Sequence, residues 1–303
     1  MKILFYKRGE KAMKIRRKTR TCIIEVVVLL FICLFVNSSR EARAQDPTMD
    51  IVKKMKEVFE PVKPSTRKVV IAATSGGETT QWVAYQARKQ FPDGKRMVMV
   101  LLEPADLKGN AYLVWEQQAK PSTVWSYIPF LRRIRQLTGV DAYEHFLGTD
   151  FTYADLGFVR LHPQYRLLGE EEHGGKQTYK IEESVPKERA YYSRVVTWVD
   201  KGTLLPVQRD YYDPAGTLWK TETFEVTTID GIPTPTRIVM KDLQGKTSTE
   251  QQITNVRYEV DIPDAIFDPM KLPAAAASSL WASLTTSPMA SSRSRAFVDE
   301  ESD

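Results

Sequence analysis

The chain is poor in the residues that most often carry chemistry. Its only two cysteines, Cys22 and Cys33, both fall within the first 44 of 303 residues. The remainder can hold neither a disulfide framework nor a thiolate nucleophile. Cys33 follows Leu30, Phe31 and Ile32, whereas a lipid-bearing cysteine needs a small residue immediately before it, so lipidation there is not expected. The three histidines, His145, His162 and His173, show no H-x-H or H-E-x-x-H spacing, so no metal site is indicated. A G-x-S-x-G elbow is absent, and Gly76-Gly77 reads as a hairpin turn rather than a phosphate loop. The longest apolar run, Val26 to Val36, falls well short of the ~20 residues of a spanning helix.

That run belongs to a leader pattern. The basic stretch Lys14 to Arg20 precedes it, and Ala42-Arg43-Ala44 follows. The series predicts a secretory signal over residues 1–44, cleaved after Ala44, with Met13 as an alternative start and an uncleaved anchor as the competing interpretation. Residues 1–44 hold eleven of the 43 Lys/Arg and three of the 38 Asp/Glu, which leaves 32 basic against 35 acidic residues and a net charge of −3. The basic character therefore sits in the leader, and a nucleic-acid partner is not expected. At the other end, composition turns to Ala and Ser after Pro273. Residues 274–303 read as a disordered tail whose large aromatics are Trp281 and Phe297.

Residues 45–273 read as one domain. "MDIVKKMKEVFEPV" spaces Ile51, Met55, Val58 and Phe59 as an amphipathic helix that Pro61 and Pro64 end. Beyond it, turn signals recur between segments rich in Val, Ile, Thr, Tyr and Trp, such as "TTQWVAYQARKQF", "KRMVMVLLE", "AYLVWEQ" and "YYSRVVTWVD". About eleven or twelve strands joined by hairpins are expected, an antiparallel meander that must curl or close. Alternation gives mixed faces: Tyr192, Arg194, Val196 and Trp198 on one, Tyr191, Val195, Thr197 and Val199 on the other. A curved sheet with an apolar inner wall and an ordinary sandwich with aromatic cross-strand pairs both fit.

Residues 129–161 interrupt the meander as a helical insert. "PFLRRIRQL" carries Pro129 at a helix-start position and Phe130, Ile134 and Leu137 at helical spacing. Arg132, Arg133 and Arg135 fall mostly on the other side, either as a solvated face or as an anion-binding one. Further on, "HFLGTDFTYADLG" offers Thr152-x-x-Asp155 as a capping box, Asp150 as an alternative cap and Gly157 as a helix stop. Asp150 and Asp155 also have the composition of an acid/base pair, but capping accounts for both.

"WSYIPFLRRIRQL" followed by "HFLGTDFTYADL" resembles the signature of the bacterial outer-membrane lipoprotein-sorting family, LolA-like. So do "EPADLKGNAYLVWE", the run from "YKIEES" to "KTETF", and "DAIFDPMKL". The resemblance covers roughly 95–272, with Asn110 where the family often has Thr and Ala154 where it often has Glu. It implies a mainly β fold with a helical insert (α+β): an antiparallel meander curved into an incomplete β-barrel closed by short helices, as in LolA and LolB. It further implies a non-enzymatic periplasmic carrier of lipid or lipoprotein acyl chains, with no cofactor and no metal. Its partners would be an inner-membrane transporter or an outer-membrane acceptor. The candidate cavity wall is Trp82, Tyr85, Met99, Leu101, Leu113, Trp115, Trp125, Tyr127 and Trp198, and the candidate lid is Arg132, Arg135, Phe146, Asp150, Phe151, Tyr153 and Asp155. The alternatives are an adaptor beside an RND-type exporter and a periplasmic enzyme using Asp150 and Asp155.

Overall fold

The computed structural model describes residues 46–117, 122–137, 142–159, 163–184 and 191–283. The expected leader (1–44), His162 and the tail from 284 lie outside them. The chain divides into two units, Met1–Pro47 and Thr48–Asp303, and the architecture below is that of the second.

Helix α1 (Thr48–Phe59) forms where the apolar spacing predicts it and buries Ile51, Val52 and Met55. Thirteen strands follow. They are β1 (Ser65–Ser75), β2 (Glu78–Phe91), β3 (Gly94–Glu103), β4 (Ala111–Gln117), β5 (Thr123–Ile128), β6 (Arg133–Leu137), β7 (Gln164–His173), β8 (Lys176–Ser184), β9 (Arg194–Asp200), β10 (Pro206–Tyr212), β11 (Leu218–Ile229), β12 (Ile232–Asp242) and β13 (Thr247–Tyr258). They make one antiparallel sheet in the order β6-β5-β4-β3-β2-β1-β13-β12-β11-β10-β9-β8-β7. The sheet is mainly hairpin-connected and is not closed into a barrel, since β6 and β7 stand at its two edges.

That order forces a crossing. Strands β6 and β7 are consecutive in the chain yet lie at opposite edges, so the segment between them must traverse the sheet. Its backbone bonds Phe146 N to Phe151 O at 2.8 Å. Phe146 meets Tyr112 of β4 with ring centroids 5.1 Å apart, while Phe151 clusters with Tyr211 of β10 and Met240 of β12. On a flat sheet β4 and β10 would stand about 34 Å apart at ~4.8 Å per strand. Two adjacent phenylalanines reach both, so the sheet is strongly bent and residues 142–159 fill its concave side.

The convex side is covered too. Short turns at Asp264–Phe267 and Pro269–Lys271 lead into α2 (Leu272–Ala276) and α3 (Leu280–Ser283). Ile262, Phe267, Leu272, Ala275 and Trp281 pack there against Tyr85, Val98, Val100 and Leu113. Trp281 is 4% exposed, stacks on Tyr85 at 6.3 Å and donates its indole N–H to Ala275 O at 2.7 Å. This corrects the expectation of a loose tail from residue 274. An Ala/Ser-rich composition still packs where a single Trp supplies the buried area.

The insert is the second correction. Residues 129–137 are not helical: Pro129–Leu131 form one 3-10 turn, Arg132 takes a left-handed conformation (φ 48°), and β6 then pairs with β5. Phe130, Ile134 and Leu137 do not share a face: Leu137 is buried in the core with Met97 and Val124, Ile134 packs with the cluster around Leu113, and Phe130 is left 92% exposed at the hairpin tip. Pairing with β5 instead satisfies the backbone, which propensity alone does not.

We expect Trp281→Ala to destabilise the domain by about 3–5 kcal/mol. Truncation after Pro273, which removes that contact, should lower the thermal midpoint by several degrees, as read by circular dichroism melting. An unchanged midpoint would mean that α3 contributes no packing energy.

Candidate ligand cavity

Between the concave face, α1 and residues 142–159 lies a cavity of about 270 Å³, near the lower end of the ~300–1,000 Å³ usual for ligand pockets. Side chains from ten strands reach it, β1–β3 and β7–β13. Its apolar wall includes Val52, Met55 and Phe59 of α1, Val69, Met99, Ile181, Phe224 and Ile253 of the sheet, and Phe151 and Phe158 of the crossing segment. Phe59 meets Phe224 edge-on at 5.5 Å, and Lys56 donates to the Tyr165 hydroxyl at 2.8 Å. Helix α1 thus ties β11 to the edge strand β7 across the cavity.

Of the nine residues expected on the wall, Met99 lines the cavity. Trp82 and Leu101 share its face of the sheet but are absorbed into the core against Val69, Ile71 and Tyr112. The other six are corrected, because they lie on the opposite face. Tyr85, Leu113, Trp115, Trp125 and Tyr127 pack under residues 260–281, and the Trp115 indole donates to Phe267 O at 2.9 Å. Trp198 stacks on His173 at 4.4 Å and donates to Glu171 at 2.6 Å. Its strand neighbours Val195 and Thr197 are the ones that face the cavity.

The expected lid residues separate in the same way. Arg132 and Arg135 sit exposed on the β5–β6 hairpin, away from the cavity wall. Phe146 and Phe151 are each 1% exposed, and Tyr153 packs with Phe146 and Phe158 at 5.6 and 6.0 Å. Their backbone forms turns rather than a helix. The capping-box bonds nevertheless exist: Thr152 N donates to Asp155 Oδ2 at 2.8 Å, and Asp155 N donates to Thr152 Oγ1 at 3.1 Å. They close a turn that Gly157 (φ 72°) and the Phe158 N to Tyr153 O bond end before a helix can propagate.

Asp150 caps nothing. Its carboxylate accepts from the hydroxyls of Thr247 and Thr249, the latter at 2.7 Å, so it fastens the crossing segment to β13. Its carbonyl accepts from Lys220 Nζ at 2.7 Å. Lys220 is fully buried. Burial holds its ammonium below the ordinary lysine range, against the opposing pull of Asp155, Asp242 and Asp150.

Apart from Asp155, the polar part of the cavity was not among the expected residues. Asp155 is half-buried and its carboxyl is raised, chiefly by desolvation, while Lys220, Thr152 and Tyr192 lower it. The Tyr192 hydroxyl donates to it at 2.9 Å. Glu222 is likewise raised by burial, and it accepts from Tyr211 at 2.6 Å and from Arg209 at 3.3 Å. Arg67 and Arg88 enter from β1 and β2. For Arg88, a charged residue at an alternating position of the predicted strand "TTQWVAYQARKQF" was the available signal.

The fold has solved relatives. A domain described as an outer membrane lipoprotein-sorting protein from Vibrio parahaemolyticus matches at 21% identity and a TM-score of 0.69, over 75% of this chain and 98% of that one. A LolA superfamily protein from Nitrosomonas europaea matches at 21% identity and a TM-score of 0.59, over 73% and 97%. A DUF1329 family protein from Desulfovibrio piger matches at 30% identity and a TM-score of 0.68, over 75% of this chain and all of that one. The chain belongs to the DUF1329 family. Its fold is LolA-like, as the sequence motifs implied. A family model described as "Uncharacterized protein" matches residues 93–274 of this DUF1329 protein, and a search of curated protein sequences returns no match.

Two predictions test these fastenings. Asp150→Asn keeps an acceptor for the threonines and should be mild. Asp150→Ala leaves the Thr249 hydroxyl proton without its acceptor, although that oxygen still accepts from Asp150 N, and should cost about 1–3 kcal/mol, and Phe151→Ala about 3–5 kcal/mol. Urea unfolding of the three variants should return that order, and equal costs for Asn and Ala would rule out the tether. The second concerns pH. With its folded pKa above the unfolded one, Asp155 makes the native state bind the extra proton, so its contribution falls as pH rises from the unfolded value through the folded one. Lys220→Met removes the cation that opposes this. The melting temperature of that variant should therefore keep falling to higher pH than the wild type's, and parallel profiles would refute the coupling.

Proposed function

We propose that the protein is a non-enzymatic periplasmic carrier that holds an acyl chain of a lipid or lipoprotein in the cavity and moves it between envelope membranes. The observation that carries this proposal is the cavity between a bent sheet, α1 and the crossing segment, partly open to solvent and lined by more apolar than polar surface. Covering each methylene there is worth about 0.8 kcal/mol. The leader pattern of residues 1–44 supports export. The solved relatives support the carrier class through fold alone. No catalytic role is assigned to Asp150, whose two carboxylate oxygens already accept threonine hydroxyls, or to Asp155, whose Oδ2 serves Thr152 and Tyr192. A carrier of this kind implies a donor such as an inner-membrane transporter and an acceptor at the outer membrane.

The second proposal is an adaptor beside an RND-type exporter. It is favoured by the β5–β6 hairpin, where Phe130 (92% exposed) and Leu131 (57% exposed) stand beside the exposed Arg132, Arg133 and Arg135.

Both are tested on protein purified from the envelope fraction. A carrier should have an intact mass that starts near Gln45, and its solvent extract should contain about one acyl chain per protein, given the cavity volume. A lipid-free extract, with Phe130→Ser still abolishing association with membrane partners, would move the assignment to the adaptor.

A further inference from the structure

The charges around the cavity do not balance locally. Four carboxylates line it, and each has a donor. Glu60 takes Lys95 at 3.3 Å, Asp155 takes Thr152 N and Tyr192, Glu183 takes the Tyr165 hydroxyl, and Glu222 takes Tyr211 and Arg209. The cations contrast with this. Arg67 is 5% exposed, and among the described residues its Nε has no hydrogen-bond partner, nor has the buried Nε of Arg88. The Arg67 guanidinium makes a long bond from Nη2 to Ser65 Oγ at 3.3 Å.

The two arginines are neighbours by register. Arg67 of β1 faces Gln86 of β2, and Ser65 faces Arg88, so Arg67 and Arg88 lie on the diagonal of one non-covalent square on the concave face. Gln86 does not bridge them, since its amide is turned to the Met97 sulfur at 2.8 Å. Burial first and Arg88 second push the Arg67 guanidinium down to about 9, against weaker pulls from Tyr258 and Glu60. A buried guanidinium beside a half-buried one, each with a buried N–H unused, is destabilising unless an anion completes them. Guanidinium forks match carboxylate and phosphate oxygens in particular.

We propose that Arg67 and Arg88 form an oxyanion-binding site at the β1–β2 end of the cavity, and that the cargo is a single-chain amphiphile with a carboxylate or phosphate head held there and its chain laid along Met99, Ile253 and Phe224. The inference rests on the carrier proposal for the chain, but not for the head. The cavity of about 270 Å³ lies near the lower end of the ~300–1,000 Å³ usual for ligand pockets, which suits one chain of moderate length.

The test compares dodecanoate, dodecanol and inorganic phosphate by isothermal calorimetry on the wild type, Arg67→Met and Arg88→Met. Methionine matches the length of the stem without the charge, and circular dichroism melting confirms that each variant is folded. Dodecanoate should bind about tenfold or more tightly than dodecanol to the wild type, and that preference should vanish in Arg67→Met while dodecanol binding stays. Arg67→Met should melt at or above the wild-type temperature, because it removes an unpaired buried charge. Equal binding of dodecanoate and dodecanol to the wild type would overturn the head-group site and leave the carrier standing. Phosphate binding that both substitutions abolish, with neither amphiphile bound, would keep the oxyanion site and overturn the carrier. Should nothing bind, both fall.

Discussion

The pairing of β1 with β13 holds the rest of the architecture together. It joins the first strand of the chain to the last, with Ser65 opposite Tyr258 and Thr74 opposite Ser248, and Glu259 N extends it to Pro64 O at 2.8 Å. Without it, β1–β6 and β7–β13 would be two separate meanders, each with an additional open edge. With it, they become one sheet too wide to stay flat. It also brings Arg67 and Val69 of β1 alongside Gln251 and Ile253 of β13, all of which face the cavity. Such a contact between chain ends is slow to form, because loop closure has to precede any gain from pairing. The crossing segment completes what the pairing begins. It binds β13 through Asp150, β11 through Lys220 and β4 through Phe146, so one stretch of chain fastens both halves at the curvature the cavity needs.

Covering both faces explains why the strands look as they do. A sheet with one wet face shows a clean apolar/polar alternation. Here β2 carries Trp82, Ala84 and Gln86 towards the concave side and Val83, Tyr85 and Ala87 away from it, and all six are buried. The convex aromatics cover the sheet beneath the C-terminal segment, and Arg96 lies over both Phe91 and Trp115 at 4.0 Å. An open sheet of this length would otherwise expose a large apolar surface on its outside.

This two-sided burial also sets how far the sequence could be read. Helix α1, the hairpin-rich β class and the capping-box spacing at Thr152 and Asp155 are local properties, and all three are found. The side on which Trp115 or Trp125 sits is not local. It depends on residues 262–281, whose low-complexity composition conceals one Trp and a few Leu, Ile and Phe that do the packing. The helical expectation for 129–137 failed for a similar reason. Its i, i+4, i+7 pattern was real, but β5 offered hydrogen bonds, and as a strand the segment sends Leu137 and Ile134 into two different clusters. Asp150 looked like a cap because sequence shows only its neighbours in the chain, whereas its partners, Thr247 and Thr249, come from the last strand.

The polar groups of the cavity carry the functional weight of the structure. An unsatisfied buried polar group costs about 1–3 kcal/mol, more when charged, against a typical net stability of roughly 5–15 kcal/mol for a domain. A wall selected only for packing would place Leu or Met at positions 67 and 88, which are flanked on the same face by Val69 and Gln86. The fold instead keeps two guanidiniums there, and it binds Asp155, Glu183 and Glu222 to tyrosines on the facing strands and turns. Those three tyrosines are packed in an aromatic cluster or tied by a second bond, as with Tyr192 against Tyr211 at 4.9 Å and Tyr165 to Lys56 at 2.8 Å. The fourth carboxylate of the lining, Glu60, pairs with Lys95. The imbalance is therefore built into the rigid part of the sheet, at the central β1–β2 pair, and not into an adjustable edge.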